Sequence, residues 1–268
     1  MRTIVHLSDL HFGRIDPAIL APLVTFAAEV KPDLVAISGD LTQRARTAEF
    51  LAAKEFLAAI PFPQIVVPGN HDVPLHNVFA RFARKLNRYQ RYITTDLQPI
   101  FSDEEMVVVG VNTARAFTWK DGRINRGQLE QLRATMNRAR SARTKIVVTH
   151  HPFDLPAGAS GRVVGRSRLA IKTLAECGVD LLLAGHFHIA DTSRTAKRYQ
   201  FPGYSAIVVS SGTSTSTRGR GQPNSLNVIR IDAPNLTIER RTWRAASSLF
   251  DILSVEQFRR AENQWIRE

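Results

Sequence analysis

The chain has 268 residues with 44% hydrophobic content, and its 36 Lys and Arg against 24 Asp and Glu leave a net charge of +12. A single globular domain with its own core is expected, and the basic excess favours anionic partners such as phosphate esters, nucleic acid or an acidic membrane surface. The lone Cys177 excludes an internal disulfide, MRTIVHLSDLHF lacks the apolar core of a signal peptide, and no apolar run approaches the ~20 residues of a membrane span, so a cytoplasmic setting is expected.

The first apolar run, Thr3–Leu7, is short, continuous and β-branched, as a strand buried on both faces should be, and Asp9 and His11 follow it. Ala18–Val30 has apolar residues at helical spacing and reads as a crossover helix, after which the strand Leu34–Ser38 delivers Asp40. Thr47–Ala59 is the next helix, with Thr47 as its candidate cap, and Ile65–Val67 is the strand leading to Asn70, His71 and Asp72. Phe79–Ile93 sets Phe79, Phe82, Leu86 and Tyr89 at helical spacing opposite Arg81, Arg84, Lys85, Arg88 and Arg91. It reads either as an ordinary core helix with solvated arginines or as a basic cap or dimer contact beside a catalytic crevice. Met106–Val111 is a further strand running into a loop that carries Arg115, and Gly127–Arg140 is a further helix. Ile146–Thr149 then delivers His150 and His151, a helix covers LAIKTLAEC up to Cys177, and Leu181–Ala184 delivers His186 and His188.

Beyond His188 the character changes. Ala206–Ser211, Ser225–Ile231 and Leu236–Trp243 read as strands separated by Gly, Ser, Thr and Pro clusters, which suggests a mainly antiparallel second half. Thr213–Gly221 reads as a short flexible loop. Ser254–Glu268 reads as a final helix, with Ser254 and Gln257 resembling a capping box. The expected organisation is a main domain over 1–244 and a helical tail over 245–268.

Five strand-like runs therefore end in donor residues, reading D-L-H, G-D, G-N-H-D, H-H-P and G-H-F-H in order. In α/β sheets ligands gather outside the carboxyl ends of strands, so such ends can bring distant residues into one crevice. D-L-H and H-F-H each place two donors two residues apart, and in an extended segment such residues project to one side. Carboxylate and amide oxygens with imidazole nitrogens, and no thiolate, suit Mn, Fe, Zn or Co and argue against a structural zinc site. His6, inside an apolar strand, reads as a satisfied core residue. Adjacent His150 and His151 point in opposite directions, and spacing does not choose between them.

In these motifs the chain resembles the calcineurin-like metallophosphoesterases from Ile4 to about His188, nearest in pattern to the bacterial cyclic-nucleotide phosphodiesterase branch. The resemblance implies an α/β fold of four layers, αββα, with two facing mixed sheets and the metals at their edge. It implies Asp9, His11 and His188 as ligands of one metal, Asn70, His150 and His186 as ligands of a second, and Asp40 as the bridge. His71 would be the general acid and His151 would lie behind the ligands, near enough to be a candidate substrate contact. Asp72 could hold the His71 imidazole, or cap a helix, or form a salt bridge. Arg14, Arg44 and Arg115 are further candidates for gripping phosphate oxygens. The expected reaction is hydrolysis of a phosphodiester, a 3',5'-cyclic nucleotide or a related small diester, by a hydroxide bridging two metals about 3.5–4 Å apart. Alternatives are a nucleotide-linked lipid pyrophosphatase, a DNA-processing nuclease and, outside enzymes, a protein-recognition scaffold. A homo-oligomer would be compatible with any of these.

Overall fold

The computed structural model describes residues 1–74, 86–115, 120–139, 142–218, 221–262 and 264–268. One sheet has the order β13-β12-β11-β10-β1-β2-β3, built from β1 (Arg2–Leu7), β2 (Leu34–Ile37), β3 (Gln64–Val66), β10 (Ser225–Asp232), β11 (Asn235–Arg244), β12 (Leu249–Ala261) and β13 (Gln264–Arg267). The other has the order β4-β5-β6-β7-β9-β8, built from β4 (Ile100–Ser102), β5 (Met106–Gly110), β6 (Thr144–Val148), β7 (Leu181–Ala184), β8 (Asp191–Arg194) and β9 (Ile207–Ser210). β1, β2 and β3 are parallel neighbours, as are β5, β6, β7 and β9, while β10 to β13 add to the first sheet as antiparallel hairpins.

The continuous apolar runs serve two cores at once. Alternate strand residues face opposite sides, and Ile4, Leu34, Ala36, Ile146, Val148, Leu181 and Leu183 fill the space between the sheets. Their neighbours Val5, Leu7, Val35 and Ile37 pack under the helices α1 (Leu20–Val30), α2 (Thr47–Ala58) and α3 (Asn87–Tyr92). On the far side Val147 and Leu182 pack under α4 (Arg126–Arg138) and α5 (Ser167–Cys177). The result is the expected αββα sandwich. Each such apolar side chain contributes roughly 1.5–3 kcal/mol on burial, and a buried polar exception within β1, His6, is hydrogen-bonded to Ser38 Oγ.

Several expectations need correction. The final helix is instead β12 and β13, so residues 249–267 complete the first sheet. Phe258 and Trp265, which suggested helical spacing, lie on adjacent antiparallel strands and both enter the inter-sheet core. The pairing of β12 with β11 slips between Arg240 and Arg241, leaving Leu253 without a partner residue. That extra residue shifts the alternation and hid the period of two. Thr47 is the first residue of α2, not its cap; Glu49 in the first turn instead accepts from the amides of Arg44 and Arg46. The helix expected over 79–93 is described as α3, whereas Phe79, Arg81, Phe82, Arg84 and Lys85 lie outside the described residues. The described part is a core helix: Leu86 and Tyr89 are buried, the Tyr89 hydroxyl donates to Val66 O at 2.9 Å, and Arg88 Nη1 donates to Ala45 O at 2.8 Å. Among the described residues no helix is long and apolar enough to cross a membrane.

Candidate metal centre

The five donor blocks stand just beyond the carboxyl ends of β1, β2 and β3 in one sheet and β6 and β7 in the other. The parallel pairing of β1 with β2 continues past the strands, since Asp9 N donates to Gly39 O and His11 N to Asp40 O. There the backbone turns left-handed: φ is 51° at Asp9, 52° at His11, 53° at Asp40, 77° at His186 and 59° at His188. The D-L-H and H-F-H segments are thus not extended, as spacing alone suggested. Each curls so that both flanking donors face the crevice while Leu10 and Phe187 stay buried. For residues with a Cβ this conformation costs roughly 1–2 kcal/mol each, and its concentration at donor positions marks a site whose geometry outweighs backbone preference. Gly39 has φ of +91°, and a Cβ there would meet His150 Nδ1 at 2.7 Å. A Cβ on Gly185 would collide with Ser8 Oγ and Asp9 Oδ2.

The side chains form two clusters that share one carboxylate. In the first, His188 Nε2 lies 3.2 Å from Asp9 Oδ1 and 3.1 Å from His11 Nε2, and His11 Nε2 lies 3.8 Å from Asp40 Oδ2. In the second, Asn70 Oδ1 lies 3.1 Å from His150 Nε2 and 3.0 Å from His186 Nδ1, and His150 Nε2 lies 3.3 Å from Asp40 Oδ2. Asp40 therefore presents one oxygen to both clusters, while its Oδ1 accepts the His71 amide at 2.8 Å. Backbone carbonyls fix the ring orientations: Ser38 O takes His150 Nδ1 at 2.8 Å and Arg218 O takes His188 Nδ1 at 3.0 Å. A carbonyl can only accept, so both Nδ1 atoms carry protons and both Nε2 atoms turn toward the carboxylates.

The electrostatics follow from burying two acids among imidazoles. Burial pushes Asp9 and Asp40 upward, but the facing histidines, His188 for Asp9 and His150 for Asp40, outweigh it and hold both well below the usual carboxylate range. Burial lowers His11 and His186 to about 3. His150 resists that same desolvation because the Asp40 charge raises it to about 9, and His188 is raised by Asp9. The carboxylates thus draw positive charge onto their nearest imidazoles, a charge that a divalent cation would supply in the protons' place. Asp9 Oδ1 is buried without a hydrogen-bond donor among the described residues, as a ligand oxygen should be. The donor set fits two divalent ions of the Mn, Fe, Zn or Co type.

Three residues sit differently from expectation. Asp72 does not touch the His71 ring; it accepts from the Leu41, Thr42 and Gly69 amides and the Thr42 hydroxyl, at 2.9–3.2 Å, and so ties the second block to the third. Burial, then the Asp40 charge, push it up to about 6. His71 Nδ1 is held instead by Gln43 O at 2.8 Å, leaving Nε2 toward the crevice. His151 is buried beside His150 and His186, with both its nitrogens engaged, Nδ1 by Thr113 Oγ1 at 2.8 Å and Nε2 by Lys120 O at 2.9 Å. Arg14 and Arg44 are exposed on the neighbouring loops that follow His11 and Asp40. Arg115 is half-buried and turned away, Nε to Arg123 O at 3.0 Å and Nη2 to Gln128 Oε1 at 3.4 Å.

The segment read as a flexible loop is part of the site. Thr213, Ser214, Thr215 and Ser216 are buried, and their hydroxyls hold the first block: Thr213 Oγ1 donates to Asp9 O and Thr215 Oγ1 to Leu10 O, both at 2.7 Å, while Ser214 Oγ accepts from Ser8 N at 3.1 Å. Their period of two, hydroxyl after hydroxyl, was the available signal. Arg218 follows them, with Nη1 3.2 Å from His71 Nε2. A separate depression of about 610 Å³, lined by Lys172, Cys177, Tyr204, Ser205 and Arg260, opens near the amino end of β7, away from these donors.

A sandwich that gathers two carboxylate-linked His clusters at its strand ends is suited to holding metal ions there. The sequence matches the calcineurin-like phosphoesterase family over residues 2–190, and the chain belongs to that family. Among curated proteins it is similar to the glycerophosphodiester phosphodiesterase GpdQ of Enterobacter lignolyticus, with 29% identity over 80 residues covering 26% of this chain and 29% of that one. It is also similar to a probable GpdQ of Arcobacter nitrofigilis, 24% identical over 167 residues that cover 61% of this chain and 59% of that one. Neither match reaches two thirds of the relative's length. In fold it resembles purple acid phosphatase PPD1 of yellow lupin (TM-score 0.69, 14% identity, 94% of this chain and 52% of that one). It likewise resembles a dimetal phosphatase of Danio rerio (TM-score 0.66, 13% identity, 94% and 98%).

Proposed function

We propose that the protein is a dinuclear-metal phosphodiesterase acting on a small diester, a 3',5'-cyclic nucleotide or a glycerophosphodiester. The observation that carries this reading is the single oxygen of Asp40 set between two His clusters, with His71 beside them and outside both sets of donors. Two ions held there would lower the pKa of a bound water and polarise a phosphoryl oxygen. The chain's own part is to fix the groups around that chemistry. Asp40 anchors the His71 amide, Gln43 O fixes the ring so that Nε2 faces the crevice, and Nε2 is then placed to give a proton to a leaving alkoxide. The similarity to GpdQ proteins supports a diester as substrate, and a basic chain suits an anionic one.

The test is reconstitution with Mn, Fe, Zn or Co followed by kcat/KM for 3',5'-cyclic AMP, glycerophosphodiesters, a nucleotide-diphosphate lipid and single-stranded DNA. A small diester should exceed the others by at least about tenfold; preference for the lipid pyrophosphate or DNA would overturn the reading. Asp40→Asn keeps the shape but removes the shared charge, so metal content and hydrolysis should fall together. Two metals per chain retained in that variant would sink the bridging role.

A further inference from the structure

The sequence offered Arg14, Arg44 and Arg115 for gripping the substrate, yet the guanidinium beside the reacting atoms belongs to Arg218. Its Nη1 lies 3.2 Å from His71 Nε2 and 3.4 Å from Gln43 Oε1, and the residue is half-buried. Since Gln43 O commits His71 Nδ1, Nε2 is the nitrogen turned to the crevice, and Arg218 stands on that side. An oxygen that bonds His71 Nε2 on the side facing Arg218 is therefore within reach of the guanidinium as well. We propose that Arg218 grips the phosphoryl group from the leaving-group side of the crevice, donating to an oxygen next to the one His71 protonates. This rests on the phosphodiesterase reading for its substrate, but the anion grip itself stands on geometry.

The backbone places this side chain without depending on it. Arg218 N donates to Ser216 Oγ at 3.1 Å, and Arg218 O accepts from His188 Nδ1 at 3.0 Å, so the residue is fastened to the floor of the metal centre through main-chain atoms. A side-chain substitution leaves both bonds available, which separates a gripping role from a scaffolding one. Arginine suits the task because its planar fork keeps its charge at any working pH and can bond Gln43 Oε1 and a phosphate oxygen together.

The experiment compares wild type, Arg218→Lys and Arg218→Ala, all loaded with Mn. Metal content is measured first, then the dissociation constant of inorganic phosphate by calorimetry, and kcat and KM for bis(4-nitrophenyl) phosphate. Metal content should be unchanged in both variants. Arg218→Ala should weaken phosphate binding and lower kcat/KM by about 10- to 100-fold, the loss expected for one charge-assisted hydrogen bond, with much of it in KM. Arg218→Lys should recover part of that. Unchanged phosphate affinity and KM in Arg218→Ala would overturn the proposal, as would an equal loss in both variants accompanied by loss of metal, which assigns Arg218 to scaffolding. If the wild type hydrolyses no diester while phosphate affinity still depends on Arg218, the proposed reaction fails and the grip stands.

Discussion

At the residue scale, His71 and His6 show how neighbouring environments give one side-chain type two uses. His71 lies outside the ligand clusters, so His71→Ala should keep its metals and lose only proton donation. The rate deficit should be about 10²- to 10⁴-fold for an alkoxide leaving group and only a few-fold for nitrophenolate, whose low pKa needs little protonation. Equal deficits in kcat/KM for the two leaving groups would contradict the general-acid role. His6 is buried between the sheets, with Nε2 2.9 Å from Ser38 Oγ, and burial lowers it to about 3 against a small upward pull from Asp9. An imidazole whose folded pKa is depressed leaves the unfolded chain binding more protons below pH 6.5. Its stabilising contribution is therefore complete above about pH 6.5 and is lost as pH falls toward 3. His6→Gln can keep the contact to Ser38 Oγ and the one from Asn227 Nδ2, 3.4 Å from His6 Nδ1, without titrating. In chelator-treated protein, urea unfolding should show the variant losing about 2–3 kcal/mol less than wild type between pH 7 and 4.5. Parallel pH profiles would show that His6 does not carry this loss.

At the element scale, the Thr213–Ser216 segment matters more than its composition suggests, because it fixes the loop that presents Asp9 and His11. Replacing Thr213 and Thr215 together with Val removes two hydrogen bonds of 2.7 Å and leaves two buried carbonyls wanting donors. No ligand is changed, yet metal affinity in a chelator competition should weaken by about tenfold, as for other groups that orient ligands from behind. Affinity equal to wild type in a merely destabilised variant would reduce the segment to packing. α3 teaches the reverse lesson: Arg88 looked like part of a basic cap, but its guanidinium closes on Ala45 O in the loop that follows Asp40.

Across the whole molecule, the two sheets must keep a fixed relation, since Asp9, His11, Asp40 and Asn70 come from one and His150, His186 and His188 from the other. Part of that relation is secured at the far end, where Trp265 of β13 enters the inter-sheet core and its Nε1 donates to Asp180 Oδ1 at 3.2 Å, beside the Arg260–Asp180 ion pair. Trp265→Ala should cost about 3–5 kcal/mol in urea unfolding through the cavity it leaves. Metal content and kcat should be retained while the fold persists. Loss below about 1 kcal/mol would mean that the C-terminal strands are an appendage, as a helical tail would have been.

The sequence by itself determined which donor blocks gather at the strand ends. Short buried strands ending in D-L-H, G-D, G-N-H-D, H-H-P and G-H-F-H leave little choice, because both the apolar runs and the donors are local patterns. Tertiary structure decided what depends on contacts between distant segments. Gln43 O, not Asp72, holds His71, because the loop after β2 crosses the loop after β3. His151 is engaged by Thr113 and Lys120, which spacing around H-H-P does not contain. A bulge at Leu253 disguised a strand as a helix, since one extra residue destroys the period on which the reading relied. Arg218 stands some thirty residues beyond the last motif, and only the closing of β9 and β10 onto the first block brings its guanidinium to His71.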